Sequence, residues 1–147
     1  MTVRLVLDAS VALSWCFEDE ADAYSRAALE QATSTTFLVP SIWSLEVINV
    51  LLVGERRGRI TSAASSQFLE LLAALSIEIE PEPILRYETP LLEMARRHHL
   101  SAYDASYLRL ALKHDSALVT KDSALTQAAQ SEGITIWMPD TPMPIRK

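Results

Sequence analysis

The sequence predicts an α/β protein, a three-layer sandwich in which a central parallel sheet lies between two layers of helices. Short runs rich in β-branched and aromatic residues alternate with longer segments whose apolar residues recur every three or four positions. Strands that are separated by helices pair in parallel through right-handed crossovers. The chain has 147 residues and no linker rich in Pro, Gly or Ser, so we expect a single domain.

The predicted elements follow one another along the whole chain. Strands are predicted at residues 3–8, 36–40, 77–81, 117–120 and 134–138. Helices are predicted from apolar spacing at residues 11–17, 23–29, 42–53, 63–75, 91–95, 105–112 and 125–129. The domain is expected to span residues 1–139, and the Pro-broken segment 140–147 is expected to be an extended or loose tail. Ligands of such sheets bind beyond the carboxyl ends of the strands, which indicates where a site should lie.

Composition and charge exclude several classes of protein. The 13 Lys and Arg residues against 19 Asp and Glu residues give a net charge of −6, which disfavours nucleic-acid binding by bulk charge alone. The single Cys16 excludes an internal disulfide, and no paired Cys/His spacing suits zinc. The N-terminal apolar run is too short for a signal peptide or a membrane span, so a cytoplasmic protein is expected.

Four acidic residues occupy positions that could bring them together. Asp8 ends the first predicted strand, Asp122 follows the fourth, and Asp104 lies three residues after Ser101. Each of these three is also an ordinary helix-capping residue, which is the simpler interpretation of each alone. Glu46 differs, because the segment SIWSLEVINVLLV is apolar on nearly every side and predicts a helix buried on most faces.

The helix with Glu46 adds further expectations. Asn49 lies three residues after Glu46 and should share its face, and Ser41 or Ser44 should begin the helix. If all four carboxylates meet at the carboxyl edge of the sheet, their mutual repulsion calls for a cation. Oxygen ligands without His or Cys suit Mg²⁺ or Mn²⁺ rather than Zn²⁺.

These segments together resemble a known family. The runs DAS, PSIWSLEVINVL, YDASYLRLA and LVTKDSAL are similar, in this order, to PIN-domain ribonucleases, specifically the VapC-type toxins of bacterial toxin–antitoxin pairs. The resemblance implies a PIN-like parallel sheet, a Mg²⁺ or Mn²⁺ site, cleavage of single-stranded RNA, a VapB-like antitoxin that blocks the site, and usually a homodimer. By this resemblance, the four acidic residues of the family correspond to Asp8, Glu46, Asp104 and Asp122. The hydroxyl residue that accompanies them in the family corresponds to Ser10, and the polar residue that follows the Glu corresponds to Asn49.

Roles follow from this resemblance and from the chemistry of phosphodiester hydrolysis. Asp8 and Asp104 are expected to ligate the first metal directly, and Asp122 to complete that site or help to hold a second ion. Glu46 is expected to orient the attacking water or accept its proton. Ser10 and Asn49 would hold the carboxylates by hydrogen bonds. Lys121, next to Asp122, is the best-placed single base for a phosphate.

Other residues have two interpretations each. The basic runs could be solvated helix ends or a rim that holds RNA phosphates: Arg56, Arg57 and Arg59, then Arg96, Arg97, His98 and His99, then Lys113 and His114. Tyr107 is expected to be a packing aromatic, with the cleft edge as its alternative. Apolar residues beyond the needs of one core, at 45–53 and 68–75, could form a dimer face or an antitoxin groove.

Four other functions compete with this interpretation. Two of them need a residue that the sequence lacks, and two remain open. A haloacid-dehalogenase-type phosphatase needs a second Asp where Ser10 stands. A receiver domain needs an Asp at the end of the third strand, where Glu80 and Pro81 stand. A PIN nuclease outside toxin–antitoxin systems and a catalytically silent PIN-like protein-binding module both remain open.

Overall fold

The computed structural model describes residues 3–81 and 84–139, with residues 84–89 in backbone only. The tail predicted at residues 140–147 lies outside the described residues. Four strands form one parallel sheet: β1 (Val3–Leu7), β2 (Thr35–Pro40), β3 (Ile77–Glu80) and β4 (Ala117–Val119). Their order across the sheet is β3-β2-β1-β4, so β1 and β2 are the inner strands. The register pairs Leu5 with Ala117, and Phe37 with Ile77.

Helices connect the strands, as the alternating pattern predicts. In the described part of the chain they are α1 (Ala9–Ser14), α2 (Ala23–Glu30), α3 (Trp43–Arg56), α4 (Ser62–Ala74), α5 (Ile84–His98), α6 (Ala102–His114) and α7 (Ser123–Ser131), with 3₁₀ turns at Glu18–Glu20 and Gln31–Thr33. The inner strands are buried along consecutive residues, Leu5 to Leu7 and Phe37 to Val39, because helices cover both faces of the sheet. The predicted three-layer α/β fold is therefore confirmed.

The fifth predicted strand, residues 134–138, is wrong as a strand. The structure shows a single parallel bridge between Leu118 and Ile136, held by Leu118 N–H to the carbonyl of Thr135 and by Trp137 N–H to the carbonyl of Leu118. The neighbouring strand β4 has only three residues, so it offers few backbone groups with which residues 134–138 could pair. The alternating apolar residues instead cover the core, where Ile134 is buried.

Two expectations for α3 are also wrong. Its N-cap is Ile42, and no side chain caps the helix, so neither Ser41 nor Ser44 begins it. The helix is not buried on most sides, because Leu45 is 64% exposed and Ile48 and Leu52 are also exposed. An all-round apolar sequence predicts burial in the core, but here one apolar side of the helix faces outward.

Within the described residues, no helix is both long enough and apolar enough to span a membrane.

Candidate functional site

Asp8 and Asp122 lie at one edge of the sheet, as their positions after two strands predict. Asp8 directly follows β1, and Asp122 follows its neighbour β4. Each is also the N-cap of the next helix: Asp8 Oδ1 accepts from Ser10 N at 3.3 Å, and Asp122 Oδ1 accepts from Leu125 N at 2.8 Å. The capping interpretation is therefore confirmed for both residues, and it does not exclude a role in a site, since each N-cap hydrogen bond occupies only one carboxylate oxygen.

The second oxygen of Asp8 is held by two hydroxyl groups. Ser10 Oγ donates to Asp8 Oδ2 at 3.0 Å, as the sequence predicts. Thr120 Oγ1 donates to the same oxygen at 2.8 Å and accepts from Asp122 N at 3.1 Å. Thr120 thereby connects the two strand-end carboxylates, a role that sequence reasoning missed. Its only sequence signal is its place at the end of a buried strand, two residues before Asp122.

Glu46 and Asp104 come from the first turns of α3 and α6. Asp104 N donates to Ser101 Oγ at 3.1 Å, which confirms Ser101 as the cap of α6. Glu46 Oε1 accepts from the hydroxyl of Tyr107 at 2.8 Å. All four acids thus lie at or near helix N-termini, where the partial positive charge of the free N–H groups favours carboxylates.

Two of the four carboxylates, Glu46 and Asp104, are affected by burial and by the charges of neighbouring acids. Burial raises the pKa of Glu46, and the charges of Asp8 and Asp104 raise it further, while the hydrogen bond from Tyr107 acts in the opposite direction. Burial also raises the pKa of Asp104, with added contributions from Asp122 and Asp8. Burial and like charge thus both act against the ionised forms of Glu46 and Asp104, and a cation bound nearby would act in the opposite direction.

The donor chemistry of this site suits a hard divalent cation. All four side chains offer carboxylate oxygen, the ligand that Mg²⁺ and Mn²⁺ prefer. Among the residues that the structure describes, no three His, Cys, Asp or Glu side chains converge into a formed ligand set. The residues fit such an ion in charge and in ligand type, and they do not by themselves form a closed cage.

Two of the predicted supporting residues lie elsewhere than expected. Asn49 is exposed, and its side chain makes no hydrogen bond to any described residue, so it does not hold a carboxylate here. Lys121 Nζ donates to Ser14 Oγ at 2.9 Å and to Asp22 Oδ2 at 3.1 Å. Its charge is thus paired with Asp22, the N-cap of α2, and not with Asp122, its sequence neighbour.

Most of the predicted basic rim pairs with acids within the fold. Arg59 binds Asp19 and lies over the ring of Phe17 at 4.5 Å. The other pairs join Arg97 and His98 to Glu132, and Lys113 and His114 to Glu80. These contacts place five of the nine basic residues in pairs with acids inside the fold, an arrangement that neither sequence interpretation predicted.

The fold and the site define a class of protein: a parallel α/β domain with four carboxylates at the carboxyl edge of its sheet. Residues 5–130 match the model of the PIN domain family, and the chain belongs to that family. A comparison with curated proteins finds no match.

Solved structures share the fold. PAE2754 from Pyrobaculum aerophilum is 26% identical, with a TM-score of 0.66 and 87% of each chain covered. VapBC2 from Rickettsia felis, solved bound to a DNA fragment from their promoter, is 14% identical, with a TM-score of 0.63 and coverage of 92% of this chain and 98% of that one. FitAcB from Neisseria gonorrhoeae is 18% identical, with a TM-score of 0.61 and coverage of 92% and 97%.

Proposed function

We propose that this chain is a Mg²⁺- or Mn²⁺-dependent endoribonuclease that hydrolyses phosphodiester bonds of single-stranded RNA. Its catalytic and metal-ligating residues would be Asp8, Glu46, Asp104 and Asp122. The observation that carries this proposal is the placement of four carboxylates at one sheet edge, where burial and the charges of neighbouring carboxylates together raise the pKa of Glu46 and Asp104. Membership of the PIN domain family supports a nuclease.

The proposed chemistry divides between the ion and the side chains. A bound Mg²⁺ or Mn²⁺ supplies charge neutralisation at the phosphate and activation of a water. Asp8 and Asp104 would hold that ion, with Asp122 completing the set or helping to hold a second ion. Glu46 would orient the attacking water or accept its proton. Ser10 and Thr120 would keep Asp8 in one rotamer through their hydroxyl hydrogen bonds.

A cleavage assay tests this proposal directly. Purified protein is incubated with a single-stranded RNA oligonucleotide, with Mg²⁺ or Mn²⁺ added and then removed by a chelator. Asp8→Asn and Asp104→Asn remove ligand charge and keep the shape, so turnover should fall by orders of magnitude with the fold intact. If water attacks in line, the products carry 5′-phosphate and 3′-hydroxyl ends.

A matched control is available at Asp115. This residue is exposed, lies at the end of α6 and has a φ of 48°, a conformation that Asn tolerates well. Asp115→Asn therefore removes one charge from the surface without strain, and we expect it to cleave like the wild type. Wild-type rates from both site variants, or full activity in excess chelator, would contradict the proposed metal-dependent mechanism. No cleavage by the wild type with either metal would contradict the proposal as well, and would favour a silent PIN-like module.

The proposal includes a biological role as the toxin of a toxin–antitoxin pair, acting in the cytoplasm as a homodimer held in check by a VapB-like antitoxin. The shared fold of VapBC2 and FitAcB supports it. So does the exposed apolar side of α3, formed by Leu45, Ile48 and Leu52 on the helix that carries Glu46. A partner helix laid on this side would bury apolar area next to the acidic edge.

Expression experiments test this role separately from the nuclease. The chain expressed alone should arrest growth, and co-expression of the neighbouring small open reading frame should rescue growth and yield a stable complex. Leu45→Glu should weaken that complex, whereas Leu92→Glu, a change at an exposed residue of α5, should leave it intact. A harmless chain with no binding partner would refute the toxin role, while the nuclease could still stand.

A further inference from the structure

Tyr107 is a fully buried residue whose hydroxyl lies between two parts of the candidate site. It lies on α6, and its side chain is 0% exposed. The hydroxyl oxygen accepts from Ala9 N at 3.3 Å and donates to Glu46 Oε1 at 2.8 Å. One side chain therefore joins three segments: α6, the first turn of α3, and the start of α1 directly after Asp8.

The direction of both hydrogen bonds follows from the donor inventory. A backbone N–H can only donate, so the phenolic oxygen must be the acceptor from Ala9. Its single proton is then directed towards Glu46, whose ionised carboxylate can only accept. Ala9 is the first residue of α1, and its N–H has no acceptor inside the helix, so Tyr107 also satisfies an otherwise unpaired donor.

Glu46 is thereby left with two different oxygens. Oε1 is bound to Tyr107, whereas Oε2 accepts no hydrogen bond from any residue that the structure describes. The bond fixes which oxygen remains for a ligand or a water. Asp104 lies one turn before Tyr107 on the same helix, so the same side chain also sets the spacing between Glu46 and Asp104.

We propose that Tyr107 is a positioning residue, which holds Glu46 by Oε1 so that Oε2 is directed to the divalent cation or its water. The inference rests on the proposed nuclease function and deepens it. Tyr107 itself would touch neither substrate nor ion. The hydroxyl would act through Glu46, and the peptide N–H of Ala9 would keep that hydroxyl from rotating away.

Mn²⁺ binding to the purified full chain tests this role without any turnover. Tyr107→Phe removes one oxygen and keeps the buried ring. We expect the Mn²⁺ affinity of this variant to fall by about 10- to 100-fold, as is usual for loss of a partner that orients a ligand. Glu46→Ala should also weaken binding, and Tyr107→Phe should cause no further loss in the Glu46→Ala background, because Tyr107 then has no carboxylate to hold.

Two controls separate positioning from general destabilisation. Tyr103→Phe changes an exposed tyrosine on the same helix and should bind Mn²⁺ like the wild type. Ile134→Val shortens a buried side chain near Ala117, which begins β4 at the end of the strand opposite to the candidate site. This change should lower the melting temperature without weakening Mn²⁺ binding. Circular dichroism of each variant checks that the fold is retained.

The outcomes distinguish this inference from the function on which it rests. If the wild type binds Mn²⁺ and cleaves RNA while Tyr107→Phe binds Mn²⁺ equally well, the positioning role is overturned and the nuclease stands. Additive losses in Tyr107→Phe and Glu46→Ala would also overturn it, because Tyr107 would then act independently of Glu46. A wild type that neither binds Mn²⁺ nor cleaves RNA would overturn both.

Discussion

At the scale of single residues, Asp8 is the most constrained carboxylate of the site. It is 6% exposed, and its Oδ2 accepts from both Ser10 Oγ and Thr120 Oγ1. Hydrogen bonds to a carboxylate are stronger than those between neutral groups, and a buried carboxylate without them would be costly. The two hydroxyls are not equivalent, because Ser10 is exposed and only two residues from Asp8 in sequence, whereas Thr120 is 3% exposed and also binds Asp122 N.

Thr120→Val should therefore impair the proposed nuclease. Valine has the shape of threonine but lacks the hydroxyl, so Asp8 loses one donor and Asp122 N loses its acceptor. We expect RNA cleavage to fall by about 10- to 100-fold, the usual effect of removing a partner of a ligating side chain. Thr36→Val is the matched control, because Thr36 pairs with Ser76 on the exposed part of the sheet. Equal cleavage rates for the two variants would contradict this role of Thr120.

At the scale of elements, the local interactions of the site could be predicted from sequence and the distant ones could not. Asp8, Asp122 and Ser101 cap helices through contacts two or three residues away, and such spacings are visible in the chain. The bonds of Thr120 to Asp8 and of Tyr107 to Glu46 span 112 and 61 residues. Only the packing of α6 across the sheet and the pairing of β1 with β4 bring these residues together.

The wrong predictions have a similar cause. Apolar and polar residues alternate in the segment 134–138 as they do in a strand. Pairing also depends on the neighbouring strand, and the three-residue β4 pairs with this segment at a single bridge. The apolar side of α3 at Leu45 and Ile48 signals burial, yet the described part of the chain leaves Leu45 64% and Ile48 43% exposed. Sequence periodicity reports which face is apolar, and the surrounding elements decide whether that face is buried.

A link between two helices gives a prediction at the same scale. Glu132, just after α7, accepts from Arg97 and His98 at the end of α5, both at 2.7 Å. The hydrogen bond from His98, together with the charge of Arg97, holds the pKa of Glu132 below its ordinary value of 4.5. A carboxyl group with a lowered folded-state pKa stabilises the protein above its unfolded pKa, and this stabilisation is lost as the pH falls.

Glu132→Gln should thus lower the free energy of unfolding by about 1 kcal/mol at neutral pH. The difference from the wild type should shrink as the pH falls below 4.5, because the unfolded wild type then takes up a proton that the folded state resists. Urea unfolding at neutral and at acidic pH measures both values. Glu70→Gln, a change at an exposed residue of α4, should show no such dependence, and a pH-independent loss at Glu132 would contradict the assignment.

At the scale of the whole molecule, the net charge of −6 and the four carboxylates at the sheet edge both produce a negative electrostatic potential at the candidate site. Both disfavour the approach of a polyanion, and most of the predicted basic rim is committed to Glu80, Glu132 and Asp19. Binding of RNA at this edge therefore requires a cation to change the sign of the local field. Metal binding and folding stability should accordingly be coupled, since like charges are held together only in the folded state.

Mg²⁺ or Mn²⁺ should therefore stabilise the wild-type protein. A ligand that binds only the folded state at about a hundred times its Kd contributes about 2.7 kcal/mol. For a chain of this size that gain raises the Tm by about 5–10 °C. Asp104→Asn should lose most of this metal-dependent shift, yet without metal it should melt at or above the wild type, because it removes one charge from a repelling set. Thermal melts of both proteins, with and without millimolar metal, measure these shifts. The prediction is contradicted if neither ion changes the wild-type Tm, or if metal-free Asp104→Asn melts well below the wild type. Either result would show that the carboxylates at this edge do not repel one another enough for a cation to stabilise the fold.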